Sequence, residues 1–465
     1  MSGSPRPPGE RQAVPRPDGS GGDRGPFPLG AAVTMRDLDG ELHPLLRRLR
    51  EREPVSWLPV LGGWLVTRRD LALRVLRDTR TFTVDDPRFS TARVIGPSML
   101  SLDGAEHQRH RAPFAEAFKL AEVQARLEEF VEAEAARLVS GFAPAGRAEL
   151  RRDLAGPLAV AAVADVLGLG QADPKVILSW YDDIVGAVSS LAGESGEPGQ
   201  EAGSARLGEP GPGTELVPPG EPGQDCARSA LSRGSEAFGK LSESLHRVIA
   251  GNSVGGAGAH GDSLLAAAAG AGGLRPSEVA SNAAVLAFGG IETTEGMICN
   301  AVLHLLSQPG QFGEVVADQR LAGNAVEESL RLEPAAAVVD RYATADVPLA
   351  AAAIRRGDLV TVSLAGAGRD PAFFPDPDRF DVRRANARQN LAFARTAVLP
   401  RGPAGPAGGH GRRARAGAVA ARPAARSRPP PASARGGVPQ AALVARALGH
   451  SILIEIKREN SCITW

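Results

Sequence analysis

The sequence predicts a mainly α protein with small β-sheets (α+β), organised as a single large helical domain over residues 28–395. Helix-period apolar patterns and helix caps fill most of that span. A proline-free run, Ser277–Ser307, is long enough for a helix that crosses a domain. Strand signals are confined to short segments, and no Gly/Ser linker divides the body into two patterns.

Taken in order, residues 1–27 are polar and rich in Pro and Gly and are expected to be disordered. Leu42 to Glu51 alternates apolar and basic positions as an amphipathic helix does, and Pro54 ends it. VSWLPVLGGWLVT reads as a hairpin turning at Gly62-Gly63, followed by a short helix from Asp70 to Asp78. Helical patterns dominate from Asp103 to about Leu167. Leu191–Asp225 is a Gly/Pro/Glu stretch that cannot bury a core, expected to be a disordered surface insertion between two helices. Helix resumes near Ser229, and strands are expected around Leu359–Val362.

Composition bounds the function. The 465-residue chain has 53 basic and 53 acidic residues, so overall charge argues neither for nor against nucleic acid. The tail is strongly basic but has no aromatic residue before Trp465 to stack on bases, so no nucleic-acid partner is expected. Cys226, Cys299 and Cys462 are too dispersed for a disulfide framework or a metal motif. No segment resembles a signal peptide or spans a bilayer; a cytoplasmic protein without a membrane partner is expected.

Three constellations carry chemistry. In SLDGAEHQRHRAPF, Asp103 and Glu106 have capping-box spacing, and His107 and Arg111 then share one helix face. That face is either an exposed basic turn or a clamp for a carboxylate. Within Ser277–Ser307, Gly289 and Gly290 each cost a helix about 1 kcal/mol relative to Ala. The cost is understandable where something bulky or flat approaches the backbone. Glu292, Thr293 and Thr294 follow, either as satisfied polar groups at a kink or as a polar notch passing protons into an apolar pocket. In AVEESLRLEP, Glu328 and Arg331 form an i,i+3 ion pair, and Arg341 downstream is placed for a second anion contact. GRDPAFFPDPDRFDVRR is a Pro-rich aromatic loop that neighbouring charges must pin.

Taken together and in this order, these segments resemble the cytochrome P-450 family, the haem-thiolate monooxygenases, in its soluble bacterial form. GGIETT is similar to the family's oxygen-activation motif, Glu328-Ser329-Leu330-Arg331 to its ExxR, DPDRF to the loop packed on ExxR, and NLAFAR to the start of the haem-binding loop. The resemblance implies haem b as cofactor, with His107, Arg111 and Arg341 holding its propionates. It implies that Thr293, with Glu292, relays protons to bound dioxygen. Glu328 and Arg331 become structural, with Arg379 or Arg383 as third partner, and Leu191–Asp225 falls between the two lid helices. The implied partners are ferredoxin and ferredoxin reductase, delivering electrons from NAD(P)H to a monomeric enzyme. The implied substrate is a small lipophilic, secondary-metabolite-like molecule.

The sequence departs from the family after Arg395. The family's loop continues F-x-x-G-x-x-x-C-x-G, whose cysteine is the axial thiolate. Here Thr396 follows, and residues 396–465 form an Ala/Arg/Gly/Pro-rich tail with no cysteine before Cys462, so no metal ligand stands at the expected position. A GC-rich codon choice for Thr396–Gly409, read one base on, encodes P-P-S-C-P-G-A-Q-L-A-R-L-E. With two bases restored at Arg395, this gives F-A-R-G-P-P-S-C-P-G, the family's loop. The tail is therefore read as frame-shifted and disordered. The leading expectation is a monooxygenase that hydroxylates or epoxidises its substrate. The alternatives are an inactive, haem-poor remnant lacking the thiolate and a haem-free binding protein with a basic tail.

Overall fold

Leu42, Leu46 and Leu49 recur at helical spacing and give α3 (Leu42–Arg52) its buried face. Two short helices precede it, α1 (Pro28–Ala31) and α2 (Met35–Asp39). The computed structural model describes residues 27–117, 120–170, 172–194, 222–254 and 264–394. The disorder expected for residues 1–27 and 396–465 concerns, apart from Phe27, residues outside that set.

After Pro54 the chain forms β1 (Val55–Leu58) and β2 (Gly63–Val66), antiparallel, with Gly62 at φ +56° in the turn. Then come α4 (Arg69–Arg77), β3 (Phe82–Thr83), α5 (Ser90–Ile95), α6 (Gly104–Ala117) and α7 (Leu120–Phe142). A π-type turn, Arg151–Ala155, leads into α8 (Gly156–Leu167). Next are α9 (Pro174–Glu194), α10 (Pro222–Val254), α11 (Leu264–Gly270) and α12 (Pro276–Leu306). Both ends of the expected Leu191–Asp225 insertion are therefore helical, and only residues 195–221 lie outside the description. The chain continues through α13 (Pro309–Ala317), α14 (Ala322–Leu332), β4 (Val338–Ala343), β5 (Val347–Leu349), β6 (Ala352–Ile354), β7 (Leu359–Ser363) and α15 (Leu364–Gly368).

The main sheet has the order β1-β2-β7-β4-β3, with β2 and β7 parallel and the other neighbours antiparallel. α12 runs through the helical body. Its Ala280, Ala283, Ala284 and Ile291 join one core with α8, α9 and α10, while Ile298 and Val302 join a second with α7 and α8. Small residues permit close crossings. A Cβ on Gly234 of α10 would stand 2.3 Å from the Ala187 Cβ of α9, so these two helices meet almost backbone to backbone.

A buried ion triad fixes the other end of the body. Glu328 accepts from Arg331 at 2.7 and 2.8 Å, from Arg384 Nε at 2.8 Å and from the Asp381 N–H at 3.1 Å. Glu328 and Arg331 are 0 % exposed, and Arg384 is 7 %. The third partner is thus Arg384, neither Arg379 nor Arg383. Arg379 contributes its backbone carbonyl, and Arg383 turns outward to Glu314 at 2.7 Å. The remaining guanidinium donors are used on the Gly368 and Pro377 carbonyls by Arg331, and on those of Pro375, Asp376 and Arg379 by Arg384. The loop after α15 is held by its own backbone.

Removing one member of a buried charge cluster strands the rest, a loss of about 3–5 kcal/mol. Arg384→Ala is expected to cost that much in urea denaturation, whereas Arg383→Ala, which removes an exposed pair, costs under about 1 kcal/mol. Equal costs for the two variants would contradict the assignment.

Candidate active site

The sheet brings Arg341 to the beginning of α6. β4 pairs with β3, and Asp103, just before α6, accepts from Thr83 Oγ1 at 2.7 Å and from the Val84 N–H at 3.0 Å. The carboxylate is thus committed to β3. Glu106 pairs with Arg109, so the expected reciprocal capping box does not form. Asp103 keeps an electrostatic role, because its charge and that of Asp340 reach Arg341. Burial is the larger effect and lowers the Arg341 pKa from its ordinary value. Among the described residues its guanidinium donates one hydrogen bond, to the Asp340 carbonyl at 2.6 Å.

His107 and Arg111 follow on α6, both half-buried. Among the described residues neither side chain makes a hydrogen bond or ion pair, while the His107 N–H donates to the Asp103 carbonyl at 3.3 Å. Their neighbours do the opposite. Arg109 binds Glu278 on α12 at 2.9 and 3.0 Å and also Glu106. His110, 1 % exposed, lies between Asn282 Nδ2 at 2.9 Å and Arg109. These contacts latch α6 to the start of α12. The Arg109 guanidinium and then Arg275 hold the Glu278 carboxyl far below the usual carboxylate range, and burial keeps His110 below its ordinary value. The alternation along α6 separates two latch residues from two uncommitted cationic side chains.

On α12 the two central glycines have different neighbours. A Cβ on Gly290 would stand 2.7 Å from Val163 Cγ2, so Gly290 serves the approach of α8. The flat or bulky group expected beside Gly290 is here a valine of the protein itself. A Cβ on Gly289 would meet nothing within 4 Å, and Gly289 is exposed in the middle of this apolar helix. Thr293 stands one turn on along the same face, its Oγ1 donating to the Gly289 carbonyl. A further turn on, Gly296 faces Ala335. Glu292 lies at the edge of this face and accepts from Tyr181 Oη of α9 at 2.7 Å.

The segment after the pinned loop arrives beneath α12. Asn390 Nδ2 donates to Glu327 Oε2 at 2.9 Å, and Ala392, like Met297, packs against the cluster of Ala301, Val326 and Leu330. Ala394, at φ +46°, is the last described residue. Arg395 and the expected thiolate position lie outside the described residues, as do Cys462 and the side chain of Cys226. Cys299 packs with the α7–α8 core, away from the Gly289 face. Among the described residues no group of His, Cys, Asp and Glu side chains is placed to hold a metal ion, and no helix is long and apolar enough to cross a membrane.

The donor set therefore fits part of a haem site. The open Gly289 face suits a flat ring, and His107, Arg111 and Arg341 suit its carboxylates. The position at which the family carries its axial ligand lies outside the described residues. Tyr181, His110, Asn282 and Arg384 had no distinguishing signal in the sequence beyond the adjacent charges of Arg109 and Arg383.

Residues 261–400 match the family model for cytochrome P450. The cytochrome P450 monooxygenase PikC of Streptomyces venezuelae is 30% identical over 383 residues, covering 78% of this chain and 80% of PikC. The 20-oxo-5-O-mycaminosyltylactone 23-monooxygenase of Streptomyces fradiae is 29% identical, covering 74% of each chain. The crystal structure of CalO2 superimposes with a TM-score of 0.64 at 26% identity, over 79% of this chain and 86% of that one. The fold is that of the cytochrome P450s, mainly α with small sheets. The chain belongs to the cytochrome P450 family, whose members are haem-dependent monooxygenases.

The two glycines give a direct test. Gly290→Ala should destabilise the chain by about 1–3 kcal/mol through overpacking against Val163. Gly289→Ala should stabilise it by up to about 1 kcal/mol in urea denaturation, yet lower haem uptake by the frame-restored protein. The reverse order of stabilities would place the open face on the wrong side of α12.

Proposed function

We propose that this protein is a monooxygenase for a small lipophilic, secondary-metabolite-like substrate, receiving electrons from NAD(P)H through a ferredoxin and its reductase. The observation that carries this reading is the open face of α12, where Gly289 leaves room and Thr293, one turn on, carries a hydroxyl, with Glu292 preceding it in the chain. Haem, when bound, supplies the activation of dioxygen. His107, Arg111 and Arg341 hold the carboxylates of that group as hydrogen-bond donors. Thr293 Oγ1 holds a proton at the reacting face, and Glu292 resupplies it from the α9 side. The apolar residues along α12 keep bulk water from competing for that proton. The substrate class is supported by those apolar surroundings and by the relative named for 20-oxo-5-O-mycaminosyltylactone. Glu328, Arg331 and Arg384 are structural in this scheme.

A second reading has its own observation. No cysteine follows Arg395 until Cys462, so the chain in its present frame is expected to be a haem-poor remnant of the same enzyme.

The test of the relay is Thr293→Ala in protein with the frame restored after Arg395. Product formation is expected to fall on the order of 10²-fold, the loss typical of a positioned proton donor, while NAD(P)H consumption continues and peroxide accumulates. An unchanged ratio of product to NAD(P)H would remove Thr293 from the mechanism.

A further inference from the structure

α9 crosses α12 beside the turn that carries Glu292. Tyr181 Oη donates to Glu292 Oε2 at 2.7 Å, and both side chains are half-buried. Glu295, one turn on, faces a different neighbour and pairs with Arg151 Nε ahead of α8. Thr293 Oγ1 donates within its own helix, to the Gly289 carbonyl. The acid and the hydroxyl are therefore held by different partners, and the acid's partner belongs to another helix. α9 in turn is joined to α10 at the close crossing of Gly234 with Ala187. A displacement of this helix pair carries the Tyr181 hydroxyl with it.

We propose that Tyr181 is a positioning residue for Glu292: its phenol fixes the carboxylate at the α9–α12 contact, so the placement of α9 sets where the acid stands relative to Thr293. This rests on the relay described above. The bond joins a neutral donor to a carboxylate, a short and strong class of hydrogen bond. Burial first, and the Glu292 contact second, push the Tyr181 phenol well above its ordinary value, so it remains a donor at any working pH. Phenylalanine at this position would keep the ring's packing and remove the donor. Glu292 would then lose the hydrogen bond that ties its carboxyl group to α9.

The chain has two tyrosines, Tyr181 and Tyr342, which makes the bond directly observable. In a Tyr342→Phe background the ultraviolet resonance Raman doublet of tyrosine reports Tyr181 alone, in the full chain and without haem. A strong-donor pattern is expected, shifting towards a weak-donor pattern on adding Glu292→Ala, with the isosteric Glu292→Gln giving a smaller shift in the same sense. In frame-restored enzyme, Tyr181→Phe should retain haem and the thiolate spectrum while releasing several-fold more peroxide per NAD(P)H. A doublet indifferent to both Glu292 substitutions overturns the proposal. So does unchanged coupling in Tyr181→Phe when Thr293→Ala uncouples, a result that leaves the relay standing. Unchanged coupling in both variants removes the relay, and the positioning role with it.

Discussion

A single buried carboxylate, Glu328, organises the half of the molecule that leads to the proximal side of the site. It takes two guanidinium groups and a backbone N–H into a place closed to water. One carboxylate cannot neutralise two cations, so the balance comes from backbone carbonyl dipoles of the surrounding loop. Such a cluster tolerates little displacement, because any donor it loses is left buried and unpaired. Gly368 shows how tight the fit is: a Cβ there would stand 2.1 Å from the Arg331 carbonyl oxygen. α14, α15 and residues 375–384 are locked together, and Asn390 is then tied to Glu327 on α14. The direction of the chain at Ala394 follows from this.

The other side of the site depends on α12 having different neighbours on different faces. α8 occupies the Gly290 side, Arg151 of the π-type turn and Tyr181 of α9 meet Glu295 and Glu292, and the Gly289–Thr293 face stays open. α6 is held to this helix by Arg109 and His110, which leaves His107 and Arg111 uncommitted. The open face and the cationic side chains are thus products of the same packing. On α6 the side chains that pack against α12 are paired, and His107 and Arg111 are the ones that packing does not use.

Local pattern carried much of this. α3, the β1–β2 hairpin, α4 and α12 stand within a residue or two of where period, proline and glycine placed them. The parallel pairing of β2 with β7 had no local signal, since it joins strands from opposite ends of the chain and is decided by tertiary packing. The Glu328–Arg331 pair was legible from its i,i+3 spacing, but its third partner was not. Arg379, Arg383 and Arg384 are alike in sequence, and only the path of the loop decides which one turns inward. Gly289 and Gly290 were likewise indistinguishable until α8 was seen to occupy one side. Tyr181 was overlooked because a lone tyrosine in an amphipathic helix reads as packing; its hydrogen bond exists only once α9 lies across α12.

A chain out of frame after Arg395 would keep α12 and the Glu328 cluster of a cytochrome P450 and lack its thiolate loop. The reduced carbon monoxide difference spectrum tests it most directly, recorded on the present chain and on protein carrying the restored F-A-R-G-P-P-S-C-P-G loop. The account predicts the thiolate absorbance from the restored protein and none from the present chain. A thiolate spectrum from the present chain would contradict it and would point to Cys462 as the ligand.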